Sequence, residues 1–145
     1  MIFIEENTDL FNYEGKAWLA HCISSDFKMV EGIAVEFVKR YNIKNFLIKN
    51  YFKDNWTGKG YCILVENKMV FNLVTKRKYS DKPTYNTIRQ ALIDMKNYAI
   101  SKNIDTIAMP RIGCGLDKLV WENKVEKIIK EVFANTDIKI IICSL

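Results

Sequence analysis

The stretch Asp105-Thr106-Ile107-Ala108-Met109-Pro110-Arg111-Ile112-Gly113-Cys114-Gly115-Leu116-Asp117 reads as a short strand running into a loop with two glycines. The apolar run suits a buried strand, and Pro110 ends it by removing a backbone donor. Gly113 and Gly115 flank Cys114, so the backbone there can take positive φ and come close to a ligand. Downstream, Trp121, Val125, Ile128, Ile129 and Val132 recur at helical spacing. The loop is therefore expected to open a helix whose free N–H groups and positive dipole end suit an anion, most simply a diphosphate. Taken alone, a two-glycine loop after a strand is more often just a turn.

Upstream, residues 2–5 and 18–23 read as strands, the second apolar enough for a sheet interior. From Gly32 to Tyr41, Ile33, Phe37, Val38 and Tyr41 alternate with Glu36, Lys39 and Arg40 as in an amphipathic helix. Residues 44–52 form a shorter helical piece and 53–58 a polar loop holding Trp56 and Gly58. Residues 60–65 and 69–75 form a hairpin about Glu66-Asn67-Lys68. After the basic loop Lys76–Lys82, Pro83 and Thr84 open a helix with Thr84 as N-cap and Ile88, Ala91, Leu92, Met95 and Ala99 on one face. Residues 138–144 close the chain as a strand. Alternating strands and helices predict an α/β sheet covered on both faces, with the hairpin as its antiparallel element.

The chain has 145 residues, 49% hydrophobic and 27% charged, and no repeat or linker, so one domain spanning 1–145 is expected. Two acids in Met1–Glu6 and the lack of a long apolar run argue against a signal peptide and a membrane span, leaving the cytoplasm, or the nucleus in a eukaryotic source. Cys22, Cys62, Cys114 and Cys143 have no paired spacing and there is one histidine, so no metal site is expected. The net charge of +5 is ordinary for a solvated Lys-rich surface and would also suit an acidic partner.

In open α/β sheets ligands bind beyond the carboxyl ends of strands. The loops starting at Ser24, Lys76 and Pro110 are therefore the candidates. Cys114 beside a helix N-terminus could be a nucleophile with His21 as base, although a histidine inside an apolar strand reads first as a satisfied core residue.

Five blocks in order carry a resemblance: Asp9-Leu10-Phe11; Leu19-Ala20-His21-Cys22-Ile23-Ser24; Gly32-Ile33-Ala34-Val35; Thr75-Lys76 with Lys82-Pro83-Thr84-Tyr85; and Met109 through Asp117 with Trp121-Glu122-Asn123. The chain resembles the macrodomain family, most of all the subclass typified by the terminal ADP-ribose protein glycohydrolase. The resemblance implies a three-layer α/β/α sandwich with a mixed sheet of about six strands. Its cleft would bind ADP-ribose, with no cofactor. Asp9 would accept from the adenine amine, with Leu10 beside it. The turns 28–34, with Met29, Gly32, Ile33 and Ala34, and 111–116, with Ile112, Gly113, Cys114, Gly115 and Leu116, would straddle the diphosphate and distal ribose. Ser24 and Thr75 would lie near the sugars, and Pro110 and Leu145 would wall the adenine side.

The resemblance also implies Lys76 as nucleophile and Asp117 as its acid/base partner. An ester on the anomeric carbon of the distal ribose hides an aldehyde equivalent that a neutral amine can attack, forming an imine as the acyl group leaves. Only about 0.04% of ordinary lysine amines are neutral at pH 7, so the site must favour the neutral form. Like-charge repulsion from Arg77 and Lys78 and burial at the strand end would do so, whereas a close Asp117 carboxylate would favour the charged form. Without the resemblance, Lys76 in a Lys-Arg-Lys run would read as a surface charge.

One departure stands out: Val30-Glu31-Gly32 replaces the small Gly-Ala-Gly typical of the subclass, and Thr8 replaces the glycine before Asp9. Glu31 brings a negative charge to a diphosphate-facing turn, which would weaken binding or change the linkage acted upon. The expected activity is removal of ADP-ribose from Glu and Asp esters on proteins, with O-acyl-ADP-ribose deacylation, by a monomer that needs no membrane. The alternatives are removal of ADP-ribose from nucleic acid, a non-catalytic ADP-ribose reader, and a phosphatase acting on the 1″-phosphate of ADP-ribose.

Overall fold

The computed structural model describes residues 1–55 and 60–145; Trp56 and Gly58 of the expected polar loop lie outside these. The strands are β1 (Ile2–Asn7), β2 (Trp18–Ser24), β3 (Tyr61–Val65), β4 (Val70–Lys76), β5 (Thr106–Met109) and β6 (Lys139–Ser144). The helices are α1 (Ile33–Tyr41), α2 (Ile43–Asn50), α3 (Tyr85–Ser101) and α4 (Glu126–Phe133). The strands form one sheet in the order β1-β6-β5-β2-β4-β3, antiparallel only between β3 and β4. The five mutually parallel strands therefore end on one edge, at Asn7, Ser24, Lys76, Met109 and Ser144. The loops that follow them share that edge.

Alternation along the strands builds two cores. Phe71, Leu73, Ile107, Met109, Ile140 and Ile142 face α3 and α4, while Val70, Val74, Ala108, Ile141 and Cys143 face α1 and α2. The three-layer sandwich follows. α3 begins as expected: the Thr84 hydroxyl accepts from the Thr87 amide and the Thr87 hydroxyl accepts from the Thr84 amide, satisfying two donors the helix leaves unpaired.

The final helix departs from expectation. Trp121, Val125, Ile128, Ile129 and Val132 are all buried on one stripe. However, Glu122 is extended and Asn123 is left-handed at φ 61°, so regular helix starts only at Glu126. Burying the Trp121 indole draws the chain into the core before it can coil. The two-glycine loop thus lacks the helix N-terminus expected directly behind it. Among the described residues no helix is long and apolar enough to cross a membrane, and no three acidic, His or Cys side chains are grouped to hold a metal.

Candidate functional site

The loops at the carboxyl edge enclose two adjoining hollows of about 510 and 450 Å³. Ile33, Pro110, Arg111 and Gly115 wall both. Together they offer a bent trough long enough for a two-ended ligand.

The first hollow holds the expected reacting pair. Lys76, the last residue of β4, donates to Asp117 Oδ1 at 2.7 Å across a sequence separation of 41 residues. Their side chains are only 15% and 14% exposed, so the pair is shielded yet opens into the hollow. At that distance a proton can pass from ammonium to carboxylate along one hydrogen bond. Lys82 closes the same wall, donating from Nζ to the Leu116 carbonyl at 2.9 Å.

Opposite stands the turn leading into α1. Gly32 has φ 62°, a conformation an L side chain resists, and no side chain caps the helix it starts. The first amides of α1 are thus left without a side-chain partner where Met29, Ile33 and Ala34 line the hollow. This helix N-terminus, rather than the final helix, supplies the anion-favouring dipole. Exposed Val30 and Glu31 line this rim. Ile112 and Gly113 (φ 73°) form the facing turn, with exposed Leu116 at the mouth.

Ser24 lines the first hollow, but its hydroxyl is already committed, donating to Asp26 Oδ1 at 2.6 Å. Asp26 also accepts from the Lys28 and Tyr79 amides. Burial opposes its charge, but these donors, the Ser24 hydroxyl foremost, outweigh it and hold the carboxyl below its ordinary value.

The second hollow is lined by Asp9, Leu10 and Leu145 and also by Cys114, whose turn is expected at the diphosphate, with Pro110 at its junction to the first. Asp9 Oδ1 accepts from the Phe11 amide at 2.9 Å, capping a short turn, so the carboxylate keeps its other oxygen for a second donor. Leu145 is the exposed chain end.

Two readings change, at Thr75 and Cys114, and the first reading of His21 stands. Thr75, expected near the sugars, is 1% exposed and lines neither hollow, because it is packed into the end of β4. Cys114 is no activated thiol: burial pushes it up to about 11. His21 is a core residue, as its apolar strand suggested. It stacks on Phe37 with centroids 3.9 Å apart, bonds Asn72 at 2.6 Å, and is lowered to about 4 by burial. The sequence did not single out Cys22, Tyr79, Ser80 and Lys82 as walls of the first hollow. Cys22 is pushed up to about 12 by burial and then by the Asp117 charge. Arg111 is ion-paired to Glu5 at 2.7 Å and lies 5.5 Å from the Trp121 ring centre.

No family model matches the chain. Over 137 residues it is 40% identical to the ADP-ribose glycohydrolase OARD1 of Bos taurus and, equally, of Homo sapiens, covering 94% of this chain and 88% of each relative. The solved macrodomain of Mycobacterium tuberculosis DarG matches with a TM-score of 0.80 at 23% identity, covering 99% of this chain and 98% of that one. Thermosipho africanus DarTG in complex with ADP-ribose matches with a TM-score of 0.69 at 19% identity, covering 97% of this chain and 43% of that one. The likeness to solved structures carries the fold, and the near-full-length identity to OARD1 carries the kinship. This chain belongs to the macrodomain family, in the branch of the ADP-ribose glycohydrolase OARD1.

Proposed function

We propose that this protein is an ADP-ribose glycohydrolase that releases ADP-ribose from Glu and Asp esters on proteins and deacylates O-acyl-ADP-ribose. The observation carrying this reading is the 2.7 Å contact between Lys76 and Asp117 inside a hollow that adjoins a second one. ADP-ribose has two ends joined by a diphosphate. The distal ribose fits the first hollow, the diphosphate the junction beside Gly32 and Gly115, and adenine the second near Asp9.

Asp117 takes a proton from Lys76, leaving a neutral amine. The amine nitrogen attacks C1″, the C1″–O bond to the acyl group breaks, and the carboxylate leaves. The attached nitrogen gives one proton to the departing carboxylate, and its lone pair then opens the ring to an iminium as the ring oxygen takes the proton held by Asp117. Water adds to C1″ and the C–N bond breaks, freeing ADP-ribose and the lysine. Asp117 moves the protons at each stage. A pure reader has no use for such a pair, and a 1″-phosphatase would need activated water rather than an amine.

Intact mass after incubation with ADP-ribose tests the nucleophile: an adduct with loss of one water, absent in Lys76→Ala, is expected. Hydrolysis of an ester-modified protein unchanged in Lys76→Ala would refute it. Exposed Arg77 and Lys78 beside Lys76 favour, as a second reading, substrates in which ADP-ribose sits on nucleic acid. Rates on modified DNA and modified protein distinguish the two.

A further inference from the structure

Asp26 lies outside the reacting pair, yet its carboxylate joins two of the loops that wall the first hollow. Oδ1 accepts from the Ser24 hydroxyl at the end of β2 at 2.6 Å and from the Lys28 amide in the loop before α1 at 3.1 Å. Oδ2 accepts from the Tyr79 amide at 3.0 Å, in the loop that follows Lys76. That second loop ends at Lys82, whose ammonium reaches the Leu116 carbonyl, the residue before Asp117. One chain of contacts therefore runs from the α1 loop through Asp26 and Tyr79, along the 79–82 segment, to the peptide that carries the acid/base group. Just after Asp26 the backbone is held twice in the left-handed region, at Phe27 (φ 54°) and Met29 (φ 51°), with both side chains buried. Burial of those side chains and the three bonds to Asp26 oppose relaxation of that conformation.

We propose that Asp26 is a positioning residue for the glycohydrolase reaction: through Tyr79 and Lys82 it holds the Lys76 loop and the Asp117 loop at reacting distance. This rests on the reading of Lys76 and Asp117 as the reacting pair. A fastening of this kind acts on the chemical step more than on ligand capture, because Asp26 lines neither hollow and its bond to Tyr79, relayed by Lys82, holds the two loops that carry the reacting pair.

The test compares wild type, Asp26→Asn, Lys82→Met and the double variant in three measurements. Single-turnover hydrolysis of an ester-modified protein is expected to slow by about ten- to a hundredfold in Asp26→Asn, while its ADP-ribose affinity by calorimetry stays within about threefold. The double variant is expected to be little slower than the worse single variant, since both changes release one loop. Amide hydrogen exchange is expected to lose protection at Tyr79 in Asp26→Asn while β4 keeps it. Multiplicative rate losses, an affinity loss matching the rate loss, or unchanged exchange at Tyr79 would each overturn the proposal. Hydrogen exchange reads the fastening without substrate. A wild type with no Lys76-dependent turnover thus refutes the assigned reaction and with it this role, whereas unchanged exchange refutes Asp26 alone.

Discussion

Ser24 lies opposite Lys76 rather than Thr75: the register of β2 against β4 slips by one residue beyond the Ile23–Val74 pair. The slip leaves Thr75 without a ladder partner and packs it inward, and it re-aims the strand end, as bulges do. The Ser25 amide then donates to the Lys76 carbonyl at 2.9 Å, fixing the backbone below the amine. A surface-like lysine in a basic run is thereby turned into a shielded group facing Asp117.

Because this geometry holds a cation beside a carboxylate, Lys76→Arg separates charge from nucleophilicity. Arginine can keep the ion pair with Asp117, but its guanidinium stays protonated and cannot attack. Hydrolysis of ester-linked ADP-ribose is expected to fall by about a thousandfold or more. The melting temperature and ADP-ribose affinity should change little. Parallel thermal melts, calorimetry and single-turnover assays check this, and retained turnover would require another nucleophile.

Glu31 stands on the rim opposite, beside the α1 amides that favour an anion. Its charge opposes a diphosphate there. Glu31→Ala is expected to tighten ADP-ribose binding by about two- to fivefold at low salt, the range for exposed charge interactions. The gain should shrink toward 0.5 M salt as screening grows. Calorimetry at two ionic strengths measures both, and a weakened complex would mean that Glu31 faces the ligand as an acceptor.

The layers of the fold were legible because burial writes itself as periodicity: Ile107 and Met109 against Ala108, or Ile88, Leu92 and Met95 along α3. Thr84 announced the start of α3. The break before α4 was invisible, since Trp121 and Val125 keep helical spacing while Asn123, between them, is left-handed. The Lys76–Asp117 contact needed the resemblance, because its partners are 41 residues apart and nothing local marks either as shielded. The bonds that join Asp26 to the Tyr79 loop and Lys82 to the Asp117 loop, like the Thr75 slip, involve backbone groups, so residue type alone gave no sign of them.

His21 makes stability depend on pH. Its folded pKa, about 4, lies below the ordinary 6.5, so the folded state favours the neutral ring. That contribution is complete above 6.5 and is lost as pH falls toward 4, by on the order of 3 kcal/mol. Asp26, lowered from 3.8, costs stability only below that range. Urea unfolding at pH 7, 5.5 and 4.5 should show the decline. In His21→Gln the decline should be shallower, whatever the variant's stability at pH 7.

Burial makes the thiols inert as well. Cys114 and Cys143 are raised to about 11, Cys22 to about 12, and Cys62 well above its ordinary value, all chiefly by desolvation. At pH 7.5 each is an undissociated thiol, and the thiolate is the reactive form. Native protein should react with iodoacetamide far more slowly than protein in urea, with mass spectrometry counting the adducts. Cys114→Ser should hydrolyse ester-linked ADP-ribose within about threefold of wild type, since the thiol is neither ionised nor paired with a base. Rapid labelling of Cys114, or loss of turnover in that variant with the fold intact, would return the two-glycine loop to the role of nucleophile carrier and displace Lys76 from it.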